Sequence, residues 1–254
     1  NAYYGRATAK GAMGDYQGAI ADYDRVIRLK PNQASAYLNR AVAKNAIGDR
    51  AGAATDYDRT VSLNPNDATA HFNRAVGFAQ SGDRAKAIAE YTTALKLNPK
   101  LVEAYNNRGG IHFTMGNRQA AIADYSEAIR LKSNYATAYL NRGIVFYSTR
   151  EYRQALLDYD RGIALEPNNA ELYFNRAVTK SQLQSYDQAL ADYNTAIRLQ
   201  PNHALAYSNR GLLHAQLQSN PAATEDLKKA AQLFQSQNNT AGYESVMRKL
   251  ERMK

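Results

Sequence analysis

"AYLNRAVAKNAIGDR" occupies residues 36–50, and "AYLNRGIVFYSTR" opens at residue 138, three periods of 34 further on. Both place Asn-Arg inside a helix-like pattern, between an aromatic stretch and a small residue. Polar pairs in the middle of a packing helix are costly unless each side chain finds a partner. Their recurrence therefore decides how the chain is organised. Asn-Arg stands at 39–40, 73–74, 107–108, 141–142, 175–176 and 209–210, and Gly5-Arg6 holds the same phase. Proline keeps the period at Pro31, Pro65, Pro99, Pro167 and Pro201, with Ser133 in the one gap. Tyr3, Tyr37, Tyr105, Tyr139, Tyr173 and Tyr207 share one repeat position. Tyr23, Tyr57, Tyr91, Tyr125, Tyr159 and Tyr193 share another, so twelve of the nineteen tyrosines belong to a repeated framework rather than an aromatic binding strip. Self-similarity at a fixed period marks a stacked repeat architecture.

With the prolines numbered as position 32, positions 1–14 read as a helix A whose core stripe runs through positions 4, 8 and 11. A turn follows at Gly14-Asp15, Gly48-Asp49, Gly82-Asp83 and Gly116-Asn117. Its Asp or Asn is a good N-cap for a second helix, because the side chain accepts an orphan backbone N–H. Helix B carries Ala19, Ala53, Ala87, Ala121, Ala155, Ala189 and Ala223 at position 20, which predicts a close helix approach. Leu29, Leu63, Leu97, Leu131, Leu165, Leu199 and Leu233 close helix B just before the proline position. Proline cannot continue the helix, so the chain turns and starts again.

An aromatic at position 4, a small residue at 8, Gly at 15, Ala at 20, an aromatic at 24 and Pro at 32 together resemble the tetratricopeptide repeat (TPR) family. The residues look like a bacterial type with "NRG" and "GDY" signatures. The resemblance covers seven successive copies, at about 1–33, 34–67, 68–101, 102–135, 136–169, 170–203 and 204–237. It implies an all-α, right-handed superhelix of antiparallel helix pairs, one domain over residues 1–254, whose A helices line a concave groove. Each pair cannot bury its apolar stripe alone, so neighbours share a continuous core. The seventh copy departs from the pattern, with Leu227 for the tyrosine and Gln235 for the proline. "NNTAGYESVMRKLERMK" then reads as a capping helix at about 240–252. Arg150, Gln184 and Gln218 replace the turn glycine; if those turns keep a positive φ, each residue bears roughly 1 kcal/mol of strain. Asn1 enters at position 2 of its repeat with no cap before it, which reads as a piece of something longer or a trimmed chain.

The bulk properties narrow the function classes. At 44% hydrophobic and 22% charged residues the chain is globular rather than disordered. No run of about 18 apolar residues predicts a membrane span. Cysteine is absent, which excludes disulfides, thiolate zinc sites and thiol catalysis and leaves the compartment open. A formal charge of +9 invites a nucleic-acid reading. However, Arg25, Arg28, Arg50, Arg59, Arg84, Arg118, Arg130 and Arg198 fall on helix B or its turn, apart from the groove. Most of the tyrosines that could stack bases are committed to the core. Nucleic acid is not the expected partner. His71, His112, His203 and His214 occupy scattered repeat positions, with no HExxH, phosphate loop or nucleophile elbow. The expectation is a protein without catalysis, cofactor or metal.

Angular position separates the Arg from the Asn. At about 100° per residue, position 7 lies about 60° from the aromatic at position 4, on the flank of the core stripe. The family usually places Leu there, yet Arg6, Arg40, Arg74, Arg108, Arg142, Arg176 and Arg210 fill it. Position 23 of helix B is acidic throughout: Asp22, Asp56, Glu90, Asp124, Asp158, Asp192 and Asp226. A guanidinium near a core demands a partner, and carboxylates at matching periodicity supply one. The expectation is a ladder of Arg–acid pairs, the alternative a row of clamps for a phosphate or carboxylate ligand.

Position 6 lies about 200° from position 4 and points out of the core. It holds Asn39, Asn73, Asn107, Asn141, Asn175 and Asn209, on the face that the resemblance assigns to the groove. An Asn amide donates and accepts, so it can pair with a peptide backbone whatever the side chains. The row is similar to those by which some TPR proteins hold extended peptides; alternatively, each Asn bonds its neighbouring repeat or water. Phe72, Phe113, Tyr147 and Phe174 add aromatic surface, and Val42, Val76, Ile144 and Val178 aliphatic surface. The carboxylate clamp of chaperone-binding TPR domains needs lysines at positions 5 and 2 and a further Asn at 9, none of which is present. The expected role is a scaffold that binds an extended protein or peptide segment. A substrate-recruiting arm of a larger enzyme and a self-assembling scaffold are the alternatives.

Overall fold

Each 34-residue period becomes two helices because its two punctuation marks, a turn residue of positive φ and a proline, are obeyed. The computed structural model describes residues 2–253 and contains helices and turns throughout them. The chain divides into two compact units, the first ending at Leu131 and the second beginning at Lys132. In the first unit the A helices are α1 (Ala2–Ala12), α3 (Ala34–Ala46), α5 (Ala68–Gln80) and α7 (Val102–Thr114). They alternate with the B helices α2 (Tyr16–Leu29), α4 (Arg50–Leu63), α6 (Arg84–Leu97) and α8 (Arg118–Leu131). The second unit alternates α9 (Ala136–Ser148), α10 (Tyr152–Leu165), α11 (Ala170–Gln182), α12 (Tyr186–Leu199), α13 (Ala204–Gln216) and α14 (Asn220–Ser236). It ends with α15 (Thr240–Glu251). Within each unit every helix packs on its neighbours in sequence, so a B helix is shared between its own A helix and the next. Each unit is an all-α stack of helix pairs, and the second ends in a capping helix.

The close approach predicted at position 20 is present. Ala19, Ala53, Ala87, Ala121, Ala155, Ala189 and Ala223 are all buried, as are the position-24 tyrosines beside them. At position 8 the fit is tighter still: a Cβ on Gly143 would stand 2.6 Å from the Tyr159 ring. Gly14, Gly48, Gly82 and Gly116 take φ of 82–85° in the first unit, where glycine meets no steric cost. Arg150, Gln184 and Gln218 keep the same left-handed turn at φ of 59–64°, so the strain expected of them is present. The N-caps differ between the units in the same sense. Asp15, Asp49 and Asp83 accept from Gly18, Gly52 and Lys86 amides, whereas Glu151, Ser185 and Ser219 make no side-chain cap.

At the C-terminus, Gln235 in place of proline lets α14 continue to Ser236. Helix α15 then lays Val246 against Leu227, Ala230, Ala231 and Phe234, with Tyr243, Met247 and Leu250 around them. The apolar face of the last B helix is thereby covered.

The charged residues build the second framework. Arg6, Arg40, Arg108, Arg142, Arg176 and Arg210 each donate through Nε and Nη2 to both oxygens of the Asp sixteen residues on, at 2.6–2.9 Å. This bidentate geometry is the strong form of the ion pair. The guanidinium groups form the expected ladder. The remaining nitrogen, Nη1, reaches back sixteen residues to the preceding B helix. It meets Asp24 from Arg40, Asp58 from Arg74, Thr92 from Arg108, Asp160 from Arg176 and Asn194 from Arg210, at 2.5–3.2 Å. Position 11 departs from the sequence expectation of an apolar stripe. Lys10, Lys44 and Lys180 stand there and bring their ammonium groups to the same carboxylates, at 2.8–3.0 Å.

The third repeat deviates. His71 replaces the tyrosine and donates from Nε2 to the Pro65 carbonyl at 2.9 Å, as Tyr37 does to Pro31 at 3.0 Å. Its Nδ1 meets Glu90 at 2.7 Å, and Arg74 reaches Glu90 through Nη2 alone. The Arg74 Nε is left buried without an acceptor.

Hydrogen bonds from Arg6 and then Lys10 hold the Asp22 carboxyl well below the usual carboxylate range. A depressed folded-state pKa contributes stability that is present above the unfolded value of about 3.9 and is lost as pH falls through the folded one. Asp22→Asn removes that contribution. Chemical denaturation at pH 7 and at pH 3 should show a smaller difference between the two conditions in this variant than in the parent. An unchanged difference would mean that the pair does not couple to folding.

Candidate functional site

A helix turns about 100° per residue, so fixing Arg at position 7 through three nitrogens also fixes where position 6 points. In the first unit Asn39, Asn73 and Asn107 lie on α3, α5 and α7, and all three are half-buried. In the second unit Asn141, Asn175 and Asn209 lie on α9, α11 and α13 and are half-buried too. The A helices α1 and α3 touch in the first unit, and α11 touches both α9 and α13 in the second.

Several of these amides are engaged with the preceding repeat. Asn39 donates to the Tyr4 hydroxyl at 2.9 Å. Burial pushes up the Tyr91 hydroxyl pKa, and a hydrogen bond from Asn107 offsets part of the rise. Burial likewise brings Tyr193 up to about 12, against hydrogen bonds from Ser181 and Asn209. Asn175 turns back to the Glu171 carbonyl at 2.8 Å. Asn73 makes no side-chain hydrogen bond among the described residues and is not buried away from water, so its amide meets solvent. An Asn with one partner still offers a carbonyl oxygen or a second N–H.

The apolar residues divide in the same way. Val42 is 45% exposed and stands beside the Asn row as a free surface. Phe72 packs its ring against Tyr91 at 5.8 Å and joins the cluster around Ala75, Ala87 and Leu95. Phe174 lies 6.2 Å from Tyr193 and 4.7 Å from the His203 ring. Tyr147 sits 5.5 Å from Tyr152 and against the cluster of Ala155, Tyr159 and Leu172. Phe113 is half-buried at the end of α7. Three of the four aromatics therefore share their area between the A-helix face and the core.

Sequence reasoning missed the hydroxyl ends of the position-24 tyrosines. Their rings fill the core, and their oxygens surface among the A-helix side chains. Tyr23 meets Thr8 at 3.2 Å, and Tyr57 accepts from Asn45 at 3.2 Å. The signal was Tyr rather than Phe at six equivalent positions, since a buried ring keeps its hydroxyl where a partner is within reach. Among the described residues no group of His, Asp and Glu could hold a metal ion, and no helix is long and apolar enough to cross a membrane.

A family model described as "TPR repeat" matches residues 9–48, 77–116, 111–150 and 180–218, and one described as "Tetratricopeptide repeat" matches 158–191. No curated protein matches the chain by sequence. Among solved structures, a tetratricopeptide repeat protein from Parabacteroides merdae is 21% identical with a TM-score of 0.74, over 96% of this chain and 97% of that one. The C-terminal part of a TPR protein from Cytophaga hutchinsonii is 18% identical with a TM-score of 0.73, over 95% and 98%. YrrB, described as a TPR protein with an unusual peptide-binding site, is 21% identical with a TM-score of 0.63, over 76% and 97%. At these identities the likeness concerns the fold.

The two states of the Asn row give separable outcomes. Asn39→Ala removes the hydrogen bond to the Tyr4 hydroxyl and should cost about 1 kcal/mol in urea unfolding. Asn73→Ala removes no internal bond and should stay within about 0.5 kcal/mol of the parent. The reverse order would contradict the assignment of Asn39 to structure and Asn73 to the free surface.

Proposed function

The chain belongs to the tetratricopeptide repeat family, and from that premise we propose that it is a protein-interaction scaffold whose A-helix faces receive an extended, apolar segment of a partner. The observation that carries this reading is the solvent-facing Asn73 amide in the first unit, with exposed Val42 on the neighbouring A helix. Packed helices lie about 8–10 Å apart, and an extended strand advances about 3.3 Å per residue, so roughly three ligand residues match one repeat. An amide every third residue can then pair with the ligand backbone, and side chains between them can rest on the aliphatic row. Each such hydrogen bond contributes only about 0.5–1.5 kcal/mol. Affinity must come from the apolar contacts as well. The peptide-binding site named for YrrB is consistent with this use of the fold.

The test uses immobilised extended peptides that carry an apolar residue at every third position, with scrambled charged peptides as controls. Asn73→Ala combined with Val42→Ser should weaken the best binder about tenfold, the equivalent of about 1.4 kcal/mol. The unfolding midpoint should not move, and retention on heparin should be unchanged. Equal affinity of parent and variant would place the site away from this face.

A further inference from the structure

The boundary between the second and third repeats holds a cavity of about 320 Å³ between α4 and α5. It exists because two side chains are smaller than elsewhere in the array. Position 21 is Ile20, Ile88, Ile122, Leu156 or Leu190 in five repeats, but Ala54 here. Position 10 is Ile111, Val145, Thr179 or Leu213 in later repeats, but Gly77 here. Ala54 and Gly77 both line the space, together with the Tyr57 and Phe78 rings. Its rim carries Arg50 and Arg74 against a single carboxylate, Asp58, which is already bound by Arg74 Nη1 at 3.2 Å. Arg74 is also the one arginine of the ladder whose Nε is buried without an acceptor. A buried donor left unpaired is costly and calls for an explanation.

The two irregularities are independent in sequence. The space comes from Ala54 and Gly77, and the unpaired donor from Glu90, which divides its oxygens between Arg74 and His71. Arg74 is common to both, lining the cavity and carrying the unpaired Nε. We propose that this cavity is a binding site for an aromatic carboxylate, with the ring between Tyr57 and Phe78 and the carboxylate at the Arg74 and Arg50 rim. The volume lies at the lower end of the roughly 300–1,000 Å³ usual for ligand sites, which suits one ring and its acid group rather than a cofactor. The site is separate from the Asn row and does not rest on the peptide reading. The chemistry is shared by a free aromatic acid and by a peptide chain that ends in phenylalanine.

Amide NMR spectra of the full chain, titrated with phenylacetate, test the proposal. Saturable shifts at Gly77 and Phe78 are expected, with a dissociation constant near 1 mM, corresponding to about 4 kcal/mol. Toluene, which lacks the acid, should bind more weakly. Gly77→Val and Ala54→Ile copy side chains that other repeats hold, and a Cβ at Gly77 meets nothing closer than the Tyr57 ring at 3.9 Å. Either change should weaken phenylacetate at least tenfold while the rest of the spectrum stays in place. A tetrapeptide with a free C-terminal Phe that matches phenylacetate, when its amide does not, assigns the site to protein tails. Saturation by phenylacetate alone assigns it to a small acid. Shifts that rise linearly in the parent, or that persist unchanged in the filled variants, would overturn the proposal and leave the cavity as a packing defect.

Discussion

A repeated arginine ties three helices together. In Arg40, Arg108, Arg176 and Arg210 the Nε and Nη2 are spent on the carboxylate of the residue's own B helix, and the Nη1 on a polar group of the B helix before. Only a planar fork of five donors can make both contacts from one side chain; a lysine head group in the same place is a point charge. The ion pair itself adds little to stability beyond what a well-packed Leu would, because desolvation offsets much of the attraction. Its contribution is positional. A guanidinium that must satisfy two partners sixteen residues away on either side sets both the roll of helix A and its distance from each B helix. Stacking rings at position 4 complete the seat, with Arg40, Arg108, Arg176 and Arg210 lying 5.5–5.7 Å from Tyr37, Tyr105, Tyr173 and Tyr207.

The rest follows from that seat. Once Arg is held, its neighbour Asn is turned about 100° around the helix from it, out of the core. Its row of amides is a by-product of the tie. Asn39 and Asn107 reinforce repeat-to-repeat contact through tyrosine hydroxyls, and Asn73 remains to meet solvent. After the last B helix the ladder position is Glu244 rather than Arg, and Lys228 stands in place of an acceptor.

The period, the turn glycines, the prolines and the matched Arg and acid rows were all legible in the sequence, because each is one residue type at one spacing. The backward half of the tie was not. Its acceptors are Asp24, Asp58, Thr92, Asp160 and Asn194, a chemical class rather than a letter. The aromatic surface was half legible. Angular arithmetic places Phe72 and Phe174 on the A-helix face, but it cannot show how much of each ring turns back onto Tyr91 and Tyr193. The cavity was hidden for a different reason: it is made by side chains that are missing from Ala54 and Gly77, and a space is defined only by the atoms around it. The second unit keeps its turns at Arg150, Gln184 and Gln218 without glycine or an Asp cap. There the tertiary ties prevail over local preference.

A double-mutant cycle between Arg176 and Asp192, using Met and Leu as replacements of similar size, measures the tie directly. Distant sites add within about 0.3–0.5 kcal/mol, so a coupling of roughly 1.5–3 kcal/mol, as for hydrogen bonds to charged groups, is the predicted result. The double variant should recover much of what either single change loses. Additive losses, with no coupling above that background, would contradict the account and reduce the ladder to a decoration on an apolar core.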